Sequence, residues 1–147
     1  MLDKYTDVTI SNDFKLYKFT SIGFKGSFVK VVRYYDLDFD DFYNLGFGDE
    51  HPVTGDLDDL AITDNGDTQK VLATVAMTLY TFINHYPNAK IFIKGSTKAR
   101  TRLYRIGIAR HLSSIEMDFT IEGLLDSKWQ NFRKGIQYDA FLIKKKR

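Results

Sequence analysis

The chain has 147 residues, a formal net charge of +2 and no cysteine, so disulfides, zinc–thiolate sites and thiol nucleophiles are excluded. Phenylalanine and tyrosine dominate an aromatic content of 15%, which favours a sheet-rich core. The length corresponds to a single domain, 1–147. No signal peptide is recognisable, and no apolar segment approaches the roughly 20 residues that span a bilayer. We therefore expect a cytoplasmic protein that does not contact a membrane.

The small net charge conceals an uneven distribution along the chain. Residues 1–85 contain 7 Lys and Arg against 14 Asp and Glu, whereas residues 86–147 contain 14 against 5. Eleven of the acidic residues lie between Asp36 and Asp67. Two interpretations stay open. The protein has an acidic face and a basic face, each with its own partner, or the two halves interleave and neutralise each other.

The first sixty residues predict a meander of four strands, because β-branched and aromatic residues recur between turn signals. The predicted strands are Phe14–Ile22, Ser27–Tyr35, Asp36–Asp40 and Leu57–Thr63. In the third of these, Leu37 and Phe39 alternate with aspartates, as in a strand with one solvated face. Gly46-Phe47-Gly48 and Pro52–Gly55 predict breaks before the fourth strand.

The second part of the chain predicts two helices and three strands. The helices are predicted over Thr68–Tyr86, with Asp67 as its N-cap and Pro87 as its stop, and over Lys98–Ser114. The strands are predicted at Ala89–Lys94, Phe119–Leu124 and Tyr138–Ile143, with Trp129 in a connection and Lys144–Arg147 as a frayed basic tail. The predicted class is α+β, in the order β-β-β-β-α-β-α-β-β. A twisted antiparallel sheet would pack against one long helix, with an Arg-rich second helix.

The most informative segment is Ile91–Leu112, in which a short apolar strand leads through Gly95-Ser96-Thr97 into the Arg-rich helix. Backbone N–H groups and cationic side chains meet at such a helix N-terminus, which favours a phosphate or a carboxylate. The predicted phosphate contacts are Lys94, Ser96, Thr97, Arg100, Arg102 and Arg105. In the alternative, Ser96 or Thr97 only caps the helix, and the arginines pair with acids of the first half.

Other candidate sites are less specific. The acidic segment offers oxygen ligands at Asp49, Glu50, Asp56, Asp58 and Asp59, but their spacing matches no calcium loop. The three histidines are scattered, and no nucleophile, phosphate-loop or dinucleotide motif occurs. We therefore expect no metal, no cofactor and no catalytic residue. Six aromatic residues of the meander either form core or stack on bases, namely Tyr17, Phe19, Phe24, Phe28, Tyr34 and Tyr35.

Two blocks, Leu45–Met77 and Lys94–Ile108, carry a resemblance to a known family. Their most specific part is the motif G-S-T-x-A-R-T-R-L-Y, which starts at Gly95. With these residues the chain resembles a family of small bacterial proteins known only as a domain of unknown function, and the resemblance implies no activity. Four strands followed by a long helix are also similar to the unit of PUR-type and Whirly single-strand-binding proteins, which is an analogy of fold.

Three functional hypotheses follow. The first is non-catalytic binding of nucleic acid, in single-stranded form, through the N-terminus of the Arg-rich helix, with exposed meander aromatics stacking on bases. The alternative is a protein-interaction module, similar to a toxin–antitoxin or regulatory partner, whose acidic segment Asp36–Asp59 docks a basic protein. A third hypothesis is a small hydrolase that uses the acids around Asp49–Asp59.

Overall fold

Nine strands and three helices are formed by residues 3–58 and 63–146, which are the part of the chain that the computed structural model describes. The strands are β1 (Thr9–Ile10), β2 (Leu16–Gly23), β3 (Gly26–Asp36), β4 (Phe42–Glu50), β5 (Leu57–Asp58), β6 (Lys90–Ile93), β7 (Phe119–Leu125), β8 (Lys128–Asn131) and β9 (Ala140–Lys145). The helices are α1 (Thr68–His85), α2 (Lys98–Arg110) and α3 (Leu112–Asp118). The strands belong to one open, mostly antiparallel sheet. The predicted α+β class is confirmed.

The observed order of elements is β-β-β-β-β-α-β-α-α-β-β-β, so the predicted order is wrong. The main error concerns β4, because Gly46-Phe47-Gly48 lies inside this strand instead of breaking it. Residues Leu45–Asp49 are all buried. A strand buried on both faces shows no polar alternation, and glycine within a strand allows a neighbouring chain to approach closely. Because glycine is also a turn signal, Gly46 and Gly48 predicted a break in the chain where the strand in fact continues.

The acidic segment that follows β3 is a turn and not the predicted strand. β3 ends at Asp36, and the φ angles of Asp38, Asp40 and Asp41 are 63°, 41° and 62°. Aspartate tolerates this left-handed region better than most residues. The Asp36 carboxylate also accepts the N–H of Asp38 at 2.7 Å, which favours a turn. The alternation of Asp with Leu and Phe therefore reflects turn chemistry.

Three smaller differences concern the second part of the chain. Trp129 lies on β8, not in a connection. The Arg-rich helix ends at Arg110, and His111 separates it from α3. Lys144 and Lys145 belong to β9 and not to a frayed tail. Of the predicted strand Leu57–Thr63, only β5 is observed, and positions 59–62 lie outside the described residues.

The contacts of the chain define two compact units. Unit 1 comprises Met1–Tyr34 and Gly46–His85. In it, Tyr34 of β3 stacks on Phe82 of α1 with ring centroids 4.1 Å apart, and its hydroxyl shares a hydrogen bond of 3.0 Å with Thr78. Burial raises the pKa of Tyr34. Tyr17 and Phe19 are buried in the same unit. Of the two alternatives for these three meander aromatics, the structure shows core, so they do not stack on bases.

Unit 2 comprises Tyr35–Leu45 and Tyr86–Arg147. Its strands follow the order β4-β6-β9-β7-β8, in which the first half of β4 pairs with β6 in parallel and the later pairings are antiparallel. Ile91, Ile143 and Ile121 are in register across β6, β9 and β7 and are buried. Tyr104 and Ile108 of α2 are buried in the same unit. The chain leaves β6 at Ile93 and enters α2 five residues later, at Lys98.

Candidate anion-binding site

The turn between β6 and α2 is fixed by three residues of the motif. The N–H of Gly95 donates to Thr101 Oγ1 at 3.0 Å, and the Thr101 hydroxyl donates to the carbonyl of Thr97 at 3.2 Å. The Thr97 side chain accepts the N–H of Arg100 at 3.2 Å, and its backbone is extended, as expected of an N-cap. Of the two predicted capping residues, Thr97 is therefore the cap.

Gly95 lets the helix begin directly against the end of the strand. A Cβ atom at this position would lie 2.4 Å from the backbone nitrogen of Thr101 and 2.5 Å from Cβ of Arg100. Both neighbours belong to the first turns of α2 and cannot move without shifting the helix. The sequence did not single out Thr101, although a second threonine four residues after the cap is a signal of this arrangement. The hydroxyl of Thr101 connects Gly95 to the helix.

Five of the six predicted site residues line one cleft of about 740 Å³ in unit 2. The cationic cleft, as we call it, is lined by Lys94, Gly95, Ser96, Thr97, Lys98, Ala99, Thr101, Arg102, Arg105, Leu124, Ser127, Gln137, Tyr138 and Asp139. Arg100 is the predicted residue that does not line it. Four cationic side chains face one carboxylate, that of Asp139. The structure thus brings the predicted residues together, and their binding of phosphate stays a prediction.

The charges of the cleft are arranged as an anion would require. The first turn of α2 contains no acidic residue but holds Lys98 and Arg100, at the end of a helix where the dipole disfavours cations. The four described ion pairs Lys18–Glu50, Lys30–Asp49, Arg33–Asp56 and Lys70–Asp3 all lie in unit 1. No ion pair joins Arg102 or Arg105 to a described residue. Pairing of these two arginines with acids of the first half is not observed among the described residues.

Tyr138 lines the same cleft as the start of α2 and is held by contacts with β7 and with residues in and after β8. Its ring lies against Gly123 of β7, where a Cβ atom would come within 2.4 Å of the ring carbons. The Tyr138 hydroxyl accepts the backbone N–H of Arg133 at 3.0 Å and Nε2 of Gln130 at 3.2 Å. Tyr138 thereby fastens the segment after β8 to the sheet. The sequence analysis placed Tyr138 on a strand and did not identify it as part of the site, since its packing on Gly123 depends on how the strands pair.

Three of the carboxylates considered as metal ligands bind cationic side chains instead. Asp49 binds the ammonium of the buried Lys30, and its second oxygen accepts the N–H and the hydroxyl of Thr63 at 3.0 and 2.6 Å. Burial acts to raise the pKa of Asp49, but the hydrogen bonds from Lys30 and Thr63 outweigh it and lower the pKa. Glu50 and Asp56 bind Lys18 and Arg33. Within residues 3–58 and 63–146, no three His, Asp or Glu side chains converge as a metal site.

Comparison with known proteins identifies the family. The profile of a family of unknown function, DUF6934, matches residues 1–146, so the chain belongs to this family. The predicted resemblance to a family of unknown function is thereby confirmed. No curated protein and no solved structure matches the chain. Among the helices that the structure describes, none is long and apolar enough to cross a membrane.

Proposed function

We propose that the protein binds single-stranded nucleic acid without catalysis, and that the cationic cleft holds its phosphates. One observation carries this proposal. Arg102 and Arg105 line the cleft beside Lys94 and Lys98, and neither arginine pairs with a described acid. The guanidinium group offers a planar fork of donors that matches phosphate oxygens in a bidentate manner. The N-terminus of α2 adds its dipole to the same place.

A polyanion fits unit 2 better than a small phosphate does. The unit contains 14 Lys and Arg against 9 Asp and Glu, and its cations are not confined to the cleft. A nucleic acid gains affinity from each phosphate that a Lys or Arg neutralises, because condensed counterions are released. The cleft is open and has no phosphate loop that would enclose one small anion. We therefore propose a strand of several nucleotides as the ligand.

The test is a titration of labelled oligonucleotides, single-stranded and duplex, against the purified protein at two salt concentrations. We expect single-strand binding that weakens steeply with salt. Arg102→Ala and Arg105→Ala should each weaken binding to oligonucleotides of every base sequence. Each should also reduce the slope of log K against log salt by about 0.7. Arg110→Ala is the matched control, because Arg110 lies on the same helix outside the cleft, and it should change neither quantity.

Two results would overturn the proposal. One is the absence of binding at low salt, and the other is an equal loss of affinity in the Arg110→Ala control. A preference for the duplex would retain the phosphate contacts but refute single-stranded nucleic acid as the ligand.

A further inference from the structure

One face of the sheet of unit 2 is only partly covered and combines aromatic with cationic side chains. Lys90 of β6 is in register with Phe42 of β4 and with Lys144 of β9, so the three side chains share this face. Alternation along β6 places Phe92 there as well. Trp129 of β8 reaches Phe92 with ring centroids 6.2 Å apart. We call these five residues the stacking face.

Of the aromatic side chains of the stacking face, Trp129 is exposed, and Phe42 and Phe92 are half-buried. Trp129 is 41% exposed and meets Phe92 edge to face, with the ring planes at 75°. Phe42 stacks on Phe39 at 4.8 Å, and Phe39 is 57% exposed. Trp129 on β8 and Phe39 in the turn after β3 thus leave apolar ring surface in contact with water, and burial of such surface by a ligand is favourable. The Phe42 ring is already covered by Phe39 and by the Lys90 ammonium, so the rings of Trp129 and Phe92 are the stacking surfaces that a planar ligand would use.

The two lysines of this face carry like charges on adjacent strands. Lys90 and Lys144 are direct neighbours across β6 and β9, where like charges destabilise a sheet. Together with Lys145 and Lys146 they line a second cleft of about 540 Å³. Thr120 lines the same cleft, and its Oγ1 is shielded from solvent without a hydrogen-bond partner among the described residues. An anion over these lysines would relieve their repulsion.

The stacking face begins where the cationic cleft ends. Lys94 directly follows β6, and the two-residue period of a strand places it on the side of Lys90 and Phe92. Lys94 also lines the cationic cleft. From Lys94 to Lys90 the chain covers about 13 Å, at about 3.3 Å per residue. Cations thus stand at both ends of an aromatic surface, all within unit 2.

We propose that a single strand runs from the cationic cleft along β6 to Lys90 and Lys144, and that its bases stack on Trp129 and Phe92. This inference rests on the proposed function and adds the mode of recognition. Only unpaired bases expose their faces for stacking, so the surface selects single strands over duplex. Because stacking accepts every base, binding depends weakly on sequence.

Trp129 is the single tryptophan of the chain, so its fluorescence reports directly on this face. We expect an unlabelled oligothymidylate to quench the emission of Trp129 with the same midpoint as the titration of labelled single strands. Inorganic polyphosphate, which has charge but no bases, should compete for the cationic cleft without quenching. Trp129→Ala should weaken oligothymidylate binding about 5- to 150-fold, and Trp129→Phe should restore most of the affinity.

The outcomes separate the two proposals. If Arg102→Ala weakens binding while the fluorescence stays constant and Trp129→Ala binds normally, the stacking face is refuted and the cationic cleft stands. If no oligonucleotide binds at low salt, both are refuted. Loss of affinity in Trp129→Ala that Trp129→Phe does not restore would indicate damage to the fold and would refute stacking as the cause.

Discussion

Lys30 is the most deeply buried charge among the described residues, with 1% of its surface exposed. Its ammonium donates to the carboxylate of Asp49 and to the carbonyl of Thr63. A buried charge of this kind is tolerated because each partner compensates the other and the remaining donors and acceptors are satisfied. Removal of either partner leaves an uncompensated charge in the interior of unit 1.

Lys30→Met is therefore expected to lower the free energy of unfolding by about 3 kcal/mol, since it strands the Asp49 carboxylate. Lys70→Met is the matched control, because Lys70 forms a long ion pair of 3.7 Å with the exposed Asp3. Its effect should not exceed about 1 kcal/mol. Urea denaturation measures both values. Equal effects of the two substitutions would contradict this account of the buried pair.

His111, between α2 and α3, should make stability depend on pH near neutrality. Burial of the ring and then the nearby Arg110 lower its pKa below the ordinary 6.5, and Nε2 finds no hydrogen-bond partner among the described residues. The folded protein then binds fewer protons than the unfolded chain as the pH falls below 6.5. The contribution of His111 to stability is thus present at higher pH and decreases toward the folded pKa.

The expected result is a free energy of unfolding that decreases between pH 7.5 and pH 5.5, measured by urea denaturation. His111→Gln, which does not titrate, should flatten the profile in this range. Carboxylates with a lowered pKa, such as Asp49, change the free energy of unfolding only at pH values below this range. A wild-type profile as flat as that of His111→Gln would show that His111 protonates equally well in the folded protein.

At the scale of elements, the start of α2 depends on a few backbone contacts. Thr97→Ala removes the N-cap and should lower the free energy of unfolding by about 1 kcal/mol, whereas Thr97→Ser keeps the capping oxygen and should stay close to wild type. Gly95→Ala should be more damaging than Thr97→Ala, because its Cβ atom would meet backbone. Thermal unfolding ranks the three variants. A stable Gly95→Ala protein would refute the close approach.

Much of the pattern of elements could be predicted from the sequence where one local signal dominated. β-branched and aromatic residues marked β2 and β3, and the apolar stripe marked α1 within one residue of its observed end. β4 could not be predicted, because burial on both faces removes the alternation on which such predictions rest. The turn after β3 was predicted as a strand because its aspartates alternate with apolar residues, which is also the pattern of a strand with one solvated face. The positive φ angles of these aspartates show a turn.

The candidate site was predictable in part for the same reason. The order Gly-Ser-Thr before a run of arginines indicated a strand, a cap and a cationic helix, which are local features. Thr101 acts through local contacts with Gly95 and Thr97, but Tyr138 packs on Gly123 and Trp129 meets Phe92, and these contacts depend on strand pairing. One sequence does not reveal such pairings, because many registers satisfy the same apolar pattern.

At the scale of the whole molecule, charge is divided differently from the simple halves of the sequence. Unit 1 contains 7 Lys and Arg against 10 Asp and Glu, and unit 2 contains 14 against 9. Four of the acids of unit 2 belong to the segment Asp36–Asp41, the end of β3 and the turn that follows. This segment reduces the positive potential of the unit that we propose as the binding unit.

Replacing Asp38 and Asp40 together by Asn should therefore raise oligonucleotide affinity by about 2- to 10-fold at low salt, mainly through faster association. Asparagine also tolerates positive φ, so the turn should persist. In about 1 M salt, where the Debye length is about 3 Å, the gain should vanish. Stopped-flow binding measures both rates. A gain that persists at high salt would indicate a direct contact and contradict a long-range field.

The position of β9 in the sheet delays the pairing of β6 and β7 during synthesis of the chain. β9 lies between β6 and β7 and hydrogen-bonds to both, yet it is the last of the three to leave the ribosome. Until residue 145 has emerged, β6 and β7 each present an open edge to other nascent chains. At about 5–20 residues per second, this interval lasts seconds. Lys90 and Lys94, at the two ends of β6, would slow self-association at that edge.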